Sequence, residues 1–439
     1  MRQRLSYQIA DIPSFKNALL DWSQQFNEAV WLDNNYHIST YSSFEAILAV
    51  DAMTSMVTNV HKAFEDLATY QKKTKDWVFG YLSYDLKNDV ERLSSDNPDR
   101  LGFPDLFFFQ PKKIIKIRGN TVDFDYLKLV ENDIEKDYRS IIAHLNIDEI
   151  VETSENSVRI KMRIFKDEYS KKVNVMLRHI RRGDIYEANF CQEFYAENTQ
   201  IDALRTYKRL NSISKAPFAA FMKLNDKYLL SASPERYLRK EGSKIISEPI
   251  KGTAKRSSSR NEDKKLKSAL GRDTKERAEN IMIVDLVRND LSKSALKGSV
   301  SVEELCKVYS FEQVHQMIST IIAKVEVDKN PVDIIKETFP MGSMTGAPKV
   351  SAMKIIEELE FFKRGLYSGA VGYFTPKGDF DFNVVIRSIL YNASEKYVSY
   401  SVGSAITVNA LPEKEYEECL IKAKAMREVL ENKSLEPRG

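Results

Sequence analysis

The stretch Ser247 to Leu291, opening SEPIKGTAKR and closing KERAENIMIVDLVRNDL, holds the two residues on which the reading of the whole chain turns, Lys251 and Glu279. Lys251 lies between the apolar pair Pro249 and Ile250 and the flexible Gly252, a setting in which a partly desolvated ammonium can lose its proton and become a nucleophile. Glu279 sits among Ala278, Met282, Ile283 and Leu286, a helical spacing that places its carboxylate beside a buried face, where it is costly unless something binds it. Taken singly, these residues leave open a surface lysine in a turn and a glutamate at a helix rim.

Working outward, Phe218 to Met222 and Lys227 to Ser231 form a predicted hairpin around Asn225-Asp226, and its second strand leads into Ser233-Pro234-Glu235. Glu235 is thereby set at a strand end, where side chains commonly meet a ligand. Between the two anchors, Ala254 to Thr274 is charged and serine-containing, and is expected to be a mobile loop and helix start. Downstream, FPMGSMTGAPK (Phe339 to Lys349) precedes a helical pattern over Val350 to Phe361 that Thr345 or Ser343 could cap. It is no Walker loop, and an ordinary helix-start loop explains it as well as an anion site does. Strands are expected at Ser368 to Phe374, Phe382 to Tyr391 and Tyr397 to Val402, then a closing helix over Glu413 to Glu431. Glu415 and Glu418, three apart, share one side of that helix. With Glu279 they would suit Mg²⁺, which prefers oxygen ligands; an exposed acidic face is the alternative.

Upstream, Ser14 to Asn27 reads as a helix, Ala29 to Leu32 as a strand, and Lys166 to Arg182 as a helix stopped by Gly183, with a strand from Ile185 to Phe194 beyond it. Trp77 to Tyr84 and Leu106 to Phe109, ending before Pro111, are aromatic strand-like runs suited to a sheet core. The polar, acidic segment Ile147 to Ser157 lacks periodicity and is the expected linker, dividing a scaffold lobe (1–155) from a catalytic region (156–439). With 439 residues, two or three domains or one large two-lobed unit are expected. Lys and Arg number 66 against 63 Asp and Glu, a balance that argues against a nucleic-acid or membrane-surface binder. Cys191, Cys306 and Cys419 are far apart and outside any CxxC pair, and no apolar run approaches the roughly 18 residues needed to span a bilayer. A cytoplasmic protein is expected.

Read together and in order, SASPE, PIKGT, ERAENIMIVDLVRNDL, FPMGSMTGAPK, GAVGYF, VVIRS and EYEECLIKAKA resemble the chorismate-utilising enzymes, and GDIYEANF (Gly183 to Phe190) agrees with them. The resemblance runs from about Lys161 to the C-terminus. Lysine in PIKGT is similar to the aminodeoxychorismate synthase component I branch, whereas anthranilate synthases usually carry alanine there. The resemblance implies an α+β fold of two mainly antiparallel β-sheets packed face to face with helices outside. It also implies a Mg²⁺-dependent amination of chorismate to 4-amino-4-deoxychorismate, toward 4-aminobenzoate and folate, with ammonia from a separate glutamine amidotransferase subunit. Lys251 would attack ring carbon 2 as the hydroxyl at carbon 4 departs, protonated by Glu235, and ammonia would then expel the lysine.

In this resemblance Glu279, Glu415 and Glu418 match the magnesium ligands, and Arg387 and Tyr367 match contacts to the enolpyruvyl carboxylate. Lys422 matches a further lysine nearby, His315 a histidine beside the ring and Thr345 a residue lining the pocket. On its own spacing His315 reads as a satisfied structural histidine. Three positions depart from the family pattern. Gly403-Ser404-Ala405 replaces a GxG turn, so that Ala405 offers the backbone N–H with an added methyl; Met341 replaces a common glycine; and Glu187 stands where glutamine is frequent. The rivals are anthranilate synthase component I, which Lys251 argues against, and a catalytically silent subunit that docks an amidotransferase or senses a metabolite.

Overall fold

Along the strands Glu28–Asp33, Ala46–Thr58, Phe218–Leu224, Lys227–Ser233 and Ser388–Asn392, apolar side chains alternate between two separate cores. Trp31, Leu48, Phe221, Leu230 and Ile389 enter one; Val30, Ile47, Met222, Leu229 and Leu390 enter the other. Period-two alternation with both faces buried means a sheet covered on both sides. The computed structural model, which describes residues 1–37, 40–145, 158–311 and 314–432, is that α+β arrangement.

Every strand pairing is antiparallel. The first sheet runs from Arg2–Gln8 through Thr121–Leu127, Leu106–Arg118, Ala46–Thr58, Glu28–Asp33, Phe218–Leu224, Lys227–Ser233, Ser388–Asn392 and Tyr397–Ile406 to Glu187–Ala196. The second leaves Leu106–Arg118 by Val78–Leu82 and continues through Ala370–Phe374, Phe380–Val384, Arg236–Glu241 and Lys244–Glu248 to Val314–Lys324. Ile250–Lys255 and Ser301–Ser310 flank that last strand on opposite edges. Both sheets contribute to the second core, where Phe108, Phe374 and Phe382, neighbours along the second sheet, meet with ring centroids 5.2 to 6.0 Å apart. Helices Lys166–Arg182, Ala203–Ser214 and Pro412–Leu430 contribute to the core on the first sheet's other face. Thr274–Ser292, Ala63–Thr74 and Pro331–Thr338 contribute to the core shared with the second.

Local chemistry explains most element ends. Helix Lys166–Arg182 buries Tyr169, Val173, Met176 and Leu177, has Asp167 and Glu168 in its first turn and Arg181 and Arg182 in its last, and stops at Gly183 as expected. Two expectations need correction and one is sharpened. Leu106–Arg118 continues through Pro111 because its partner on that edge changes there, from Val78–Leu82 to Thr121–Leu127, so the missing N–H leaves no ladder bond unmade. Of the mobile loop and helix start expected at Ala254 to Thr274, the helix takes up most, Arg260–Arg272; only Leu270 is buried, so its charged residues hide the periodicity. Phe382 to Tyr391 is two strands, Phe380–Val384 and Ser388–Asn392, which lie in different sheets.

The expected linker and the boundary near Asn156 lie outside the described residues. Strands from either side of it interleave: Glu28–Asp33 pairs with Phe218–Leu224, and Val78–Leu82 with Ala370–Phe374. All three cysteines are buried and free. Among the described residues no helix is long and apolar enough to cross a membrane.

Candidate active site

The chain passes from sheet to sheet at two adjacent breaks. One lies between Lys227–Ser233 and Arg236–Glu241 and holds Glu235; the other lies between Phe380–Val384 and Ser388–Asn392 and holds Arg387. Backbone bonds tie them together, Val384 N–H to the Glu235 carbonyl (3.0 Å) and Ala232 N–H to the Arg387 carbonyl (3.1 Å). Arg387 has φ +51°, a left-handed conformation uncommon outside glycine, and this turns it out of the ladder. Its guanidinium has no hydrogen-bond or ion-pair partner among the described residues, and burial pushes its pKa down. An unpaired, half-buried guanidinium is a prepared donor for a planar carboxylate. Glu235 is 6% exposed, and burial drives its carboxyl up to about 7 against the Ser343 hydroxyl and the charges of Lys251 and Lys422. A small cavity of about 20 Å³ lined by Glu235, Pro249, Val287, Met341 and Ser343 lies beside it.

Lys251 projects from Ile250–Lys255, a strand rather than a turn, whose edge away from Val314–Lys324 has no strand partner among the described residues. Its Nζ lies 3.8 Å from Oε1 of Glu187, which is 3% exposed. Burial favours the free amine, but the carboxylates of Glu187, Glu279, Glu418 and Glu235 outweigh it and raise the lysine pKa. The expectation that desolvation alone would free the amine is therefore corrected: in this state the proton stays on Lys251. Burial raises the Glu187 pKa in turn, against the pull of Lys251.

The acidic set comes from two helices. Asp273 caps Thr274–Ser292 by accepting the Glu276 N–H (2.9 Å), and the helix then presents Glu276 and Glu279 nearly one turn apart. Pro412–Leu430 presents Glu415, 4% exposed and accepting the Ser404 hydroxyl, and Glu418. Burial, then Glu418 and Glu279, raise the Glu415 pKa despite the Ser404 bond. At Glu418 burial is outweighed by Lys422, Lys251 and Lys275, and its pKa is lowered. Lys275 lies 3.7 Å from Glu279, and Lys422 lies 2.6 Å from Glu418. With those lysines interleaved, no group of three or more His, Cys, Asp or Glu among the described residues is gathered closely enough to hold a metal ion.

The remaining candidates divide. Tyr367 is 3% exposed and its hydroxyl lies 3.7 Å from the Cys191 sulfur; burial raises its pKa, with Cys191 adding to the rise. Lys422 donates to the Gly403 carbonyl (2.8 Å), and Ala405 pairs in register with Asn189. Gly403 needs its lack of a side chain, since a Cβ there would lie 2.1 Å from Asn189 Oδ1. Thr345 is fully buried, and its hydroxyl bonds the Met341 and Gly342 carbonyls (3.3 and 3.2 Å). Neither Thr345 nor Ser343 caps Lys349–Leu359, which has no side-chain cap. Lys349 is committed to Asp290 (2.6 Å) and to the carbonyls of Thr338 and Pro340. His315 has both ring nitrogens engaged, by Asp263 and Ser310 (3.0 Å each), and no described hydrogen bond links it to Lys251 or Glu235.

Several contributors escaped the sequence reading. Glu276 joins the acidic set, with its pKa raised by burial and by Glu279. Ser343 lies close enough to Glu235 to pull its pKa down against burial, and its own carbonyl accepts from Asn189 Nδ2 (2.8 Å). Arg364, 3% exposed and paired with Glu360, donates to the carbonyls of Met344 (2.7 Å) and Asn189 (2.8 Å), bracing the loop that presents Ser343. The signal for Glu276 was present, three residues before Glu279; nothing in the spacing links Arg364 to Ser343.

This arrangement and its motifs define a class: the chain belongs to the chorismate binding enzyme family, whose model matches residues 18–428. It is 36% identical to the aminodeoxychorismate synthase of Streptomyces griseus over 81% of this chain, which spans 50% of that protein's length. It is 33% identical to anthranilate synthase component 1 of Thermus thermophilus over 81% of this chain and 77% of that protein. The crystal structure of anthranilate synthase component I from Streptococcus pneumoniae superposes with a TM-score of 0.76, at 26% identity, over 89% of this chain and 94% of that one.

Proposed function

We propose that this chain aminates chorismate to 4-amino-4-deoxychorismate in the cytoplasm, on the route to 4-aminobenzoate and folate, with ammonia supplied by a separate glutamine amidotransferase subunit. The observation that carries the reading is Lys251 between two buried carboxyl groups of opposite aptitude: Glu187 at 3.8 Å, and Glu235 with its pKa pushed up to about 7. A lysine nucleophile with a neutral acid nearby suits a pair of displacements and has no role in a direct elimination. Lys251 attacks ring carbon 2 as Glu235 protonates the departing 4-hydroxyl; ammonia then adds at carbon 4 and the lysine leaves. Arg387, with Tyr367 beside it, takes the enolpyruvyl carboxylate, and Lys422 adds positive charge near Glu235. By the family resemblance Thr345 and Ala405 are assigned to the pocket wall and His315 to a place beside the ring.

Glu279, Glu415 and Glu418 offer an all-carboxylate donor set, the chemistry a hard divalent ion requires, and the repulsion that raises Glu415 is what a cation there relieves. They would hold Mg²⁺ once Lys275 and Lys422 swing away from Glu279 and Glu418 and the three carboxylates draw together, and the ion would then offset the charge of the ring carboxylate. The test is product identification by mass spectrometry after incubating the purified chain with chorismate, Mg²⁺ and an ammonium salt, and again without magnesium. Aminodeoxychorismate without pyruvate is the expected product. Anthranilate with pyruvate would move the chain to the branch of its Thermus thermophilus relative, and untouched chorismate would make it a binding subunit.

A further inference from the structure

A nucleophilic lysine that rests as an ammonium needs a group to take its proton at the moment of attack. Four carboxyl groups face Lys251: Glu187, Glu279, Glu418 and Glu235. Glu235 is the acid for the leaving hydroxyl, and Glu279 and Glu418 belong to the proposed cation site. Glu187 is also the only one of the four within 4 Å of Nζ, at 3.8 Å, a separation that small side-chain rotations bring to hydrogen-bond length. Its backbone is held hard. Glu187 pairs with Ala347, Tyr186 N–H bonds the Ala347 carbonyl (2.6 Å), and Gly346 packs so closely that a Cβ there would lie 2.1 Å from the Glu187 carbonyl oxygen. Strand alternation sends Ala188 and Phe190 into the helix-covered core, and Glu187 projects the other way, from the first sheet toward a lysine on the second.

We propose that Glu187 is the proton acceptor for Lys251, taking a proton from its ammonium as the nitrogen attacks carbon 2 and returning it when the lysine is expelled. The inference rests on the covalent amination proposed above. In the first half the Nζ–C2 bond forms, the ring double bonds shift and the C4–O bond breaks. Glu187 becomes neutral, Glu235 becomes a carboxylate and water leaves. In the second half ammonia bonds to C4, the electrons return and the Nζ–C2 bond breaks. The released amine recovers its proton from Glu187, and the new C4 ammonium gives one to Glu235. Both carboxyl groups end as they began, so the net change is chorismate plus ammonia to aminodeoxychorismate plus water.

The experiment follows the lysine adduct by intact-protein mass spectrometry after rapid mixing of the full chain with chorismate and Mg²⁺, without ammonia, between pH 6.5 and 9.5. Wild type is expected to form the adduct fastest near pH 7 and below, and to slow at higher pH as Glu235 loses the proton that the departing hydroxyl needs. Glu187→Gln is expected to form it at least tenfold more slowly at pH 7, and its rate relative to wild type to gain close to tenfold per pH unit, because only the free-amine fraction then reacts in the variant. Glu187→Asp, which keeps the carboxylate, should recover most of the rate, and all three proteins should melt alike. Wild-type rates in Glu187→Gln, or a deficit that neither pH nor aspartate restores, would overturn the assignment. No adduct in wild type would remove the covalent mechanism and this inference with it, whereas a wild-type adduct with an unaffected Glu187→Gln variant removes this inference alone.

Discussion

The two sheets are joined in two different ways, and the contrast explains where the chemistry sits. At one join the long strands Ala46–Thr58 and Leu106–Arg118 continue from sheet to sheet, with a shift of register between Ala52 and Thr54 and Asp51 left-handed at φ +62°; Phe108 and Phe109 are fully buried there, and Pro111 falls where no bond is lost. At the other, both strands break, and the residues at the breaks are Glu235 and Arg387. A continuous strand satisfies its own backbone and leaves side chains free to fill a core. A broken one aims side chains along the cleft, at the expense of buried charge.

The sharpest way to break the comparison is at the nucleophile beside the broken join. Lys251→Ala should reduce amination by about 10⁴-fold or more while chorismate binding, measured by equilibrium dialysis, persists. Unchanged turnover would remove the covalent route. Next, Glu235→Gln should reduce turnover by roughly 10²–10⁴-fold. Since Glu235 acts when protonated and its pKa is raised to about 7, wild-type activity should be full below that value and fall as pH rises through it. The glutamine variant should lack that limb, and persistence of the limb would assign it to another group.

At the continuous join the expected effect is on folding alone. Phe108→Ala removes a fully buried ring and should lower unfolding free energy by about 3–5 kcal/mol, read by denaturant titration, with the pH dependence of turnover unmoved. The smallest effect is expected at Arg387→Ala, which should weaken chorismate binding by about 1.5–3 kcal/mol, seen in KM. Because the guanidinium is unpaired, its loss should leave the melting temperature unchanged or raise it. A marked fall in stability would show that Arg387 serves the fold.

Much of the continuous architecture was legible. The aromatic runs at Val78–Leu82 and Leu106–Phe109, the hairpin at Asn225-Asp226 and the helix ended by Gly183 all follow from local chemistry. The face-to-face sheets came from the resemblance, since local patterns say nothing of which strands meet. The sequence hid the breaks most thoroughly. Val384 to Ser388 reads as one apolar run around an arginine, and only the change of sheet makes Arg387 left-handed. In the site, helix spacing grouped Glu415 with Glu418 and equally pairs Lys275 with Glu279 and Lys422 with Glu418, four apart within one helix each; that the two helices bring these charges together was hidden. The charged state of Lys251 was illegible for the same reason, because Glu187 reaches it from the other sheet.

The two main-chain bonds that tie Glu235 to Val384 and Arg387 to Ala232 have a consequence for substrate range. They make the spacing between proton donor and guanidinium a fixed calliper, set by backbone and indifferent to most side-chain changes nearby. A molecule whose leaving oxygen and side-arm carboxylate stand farther apart cannot be accommodated by repacking the pocket, and a longer reach would require lengthening one of the two breaks by a residue.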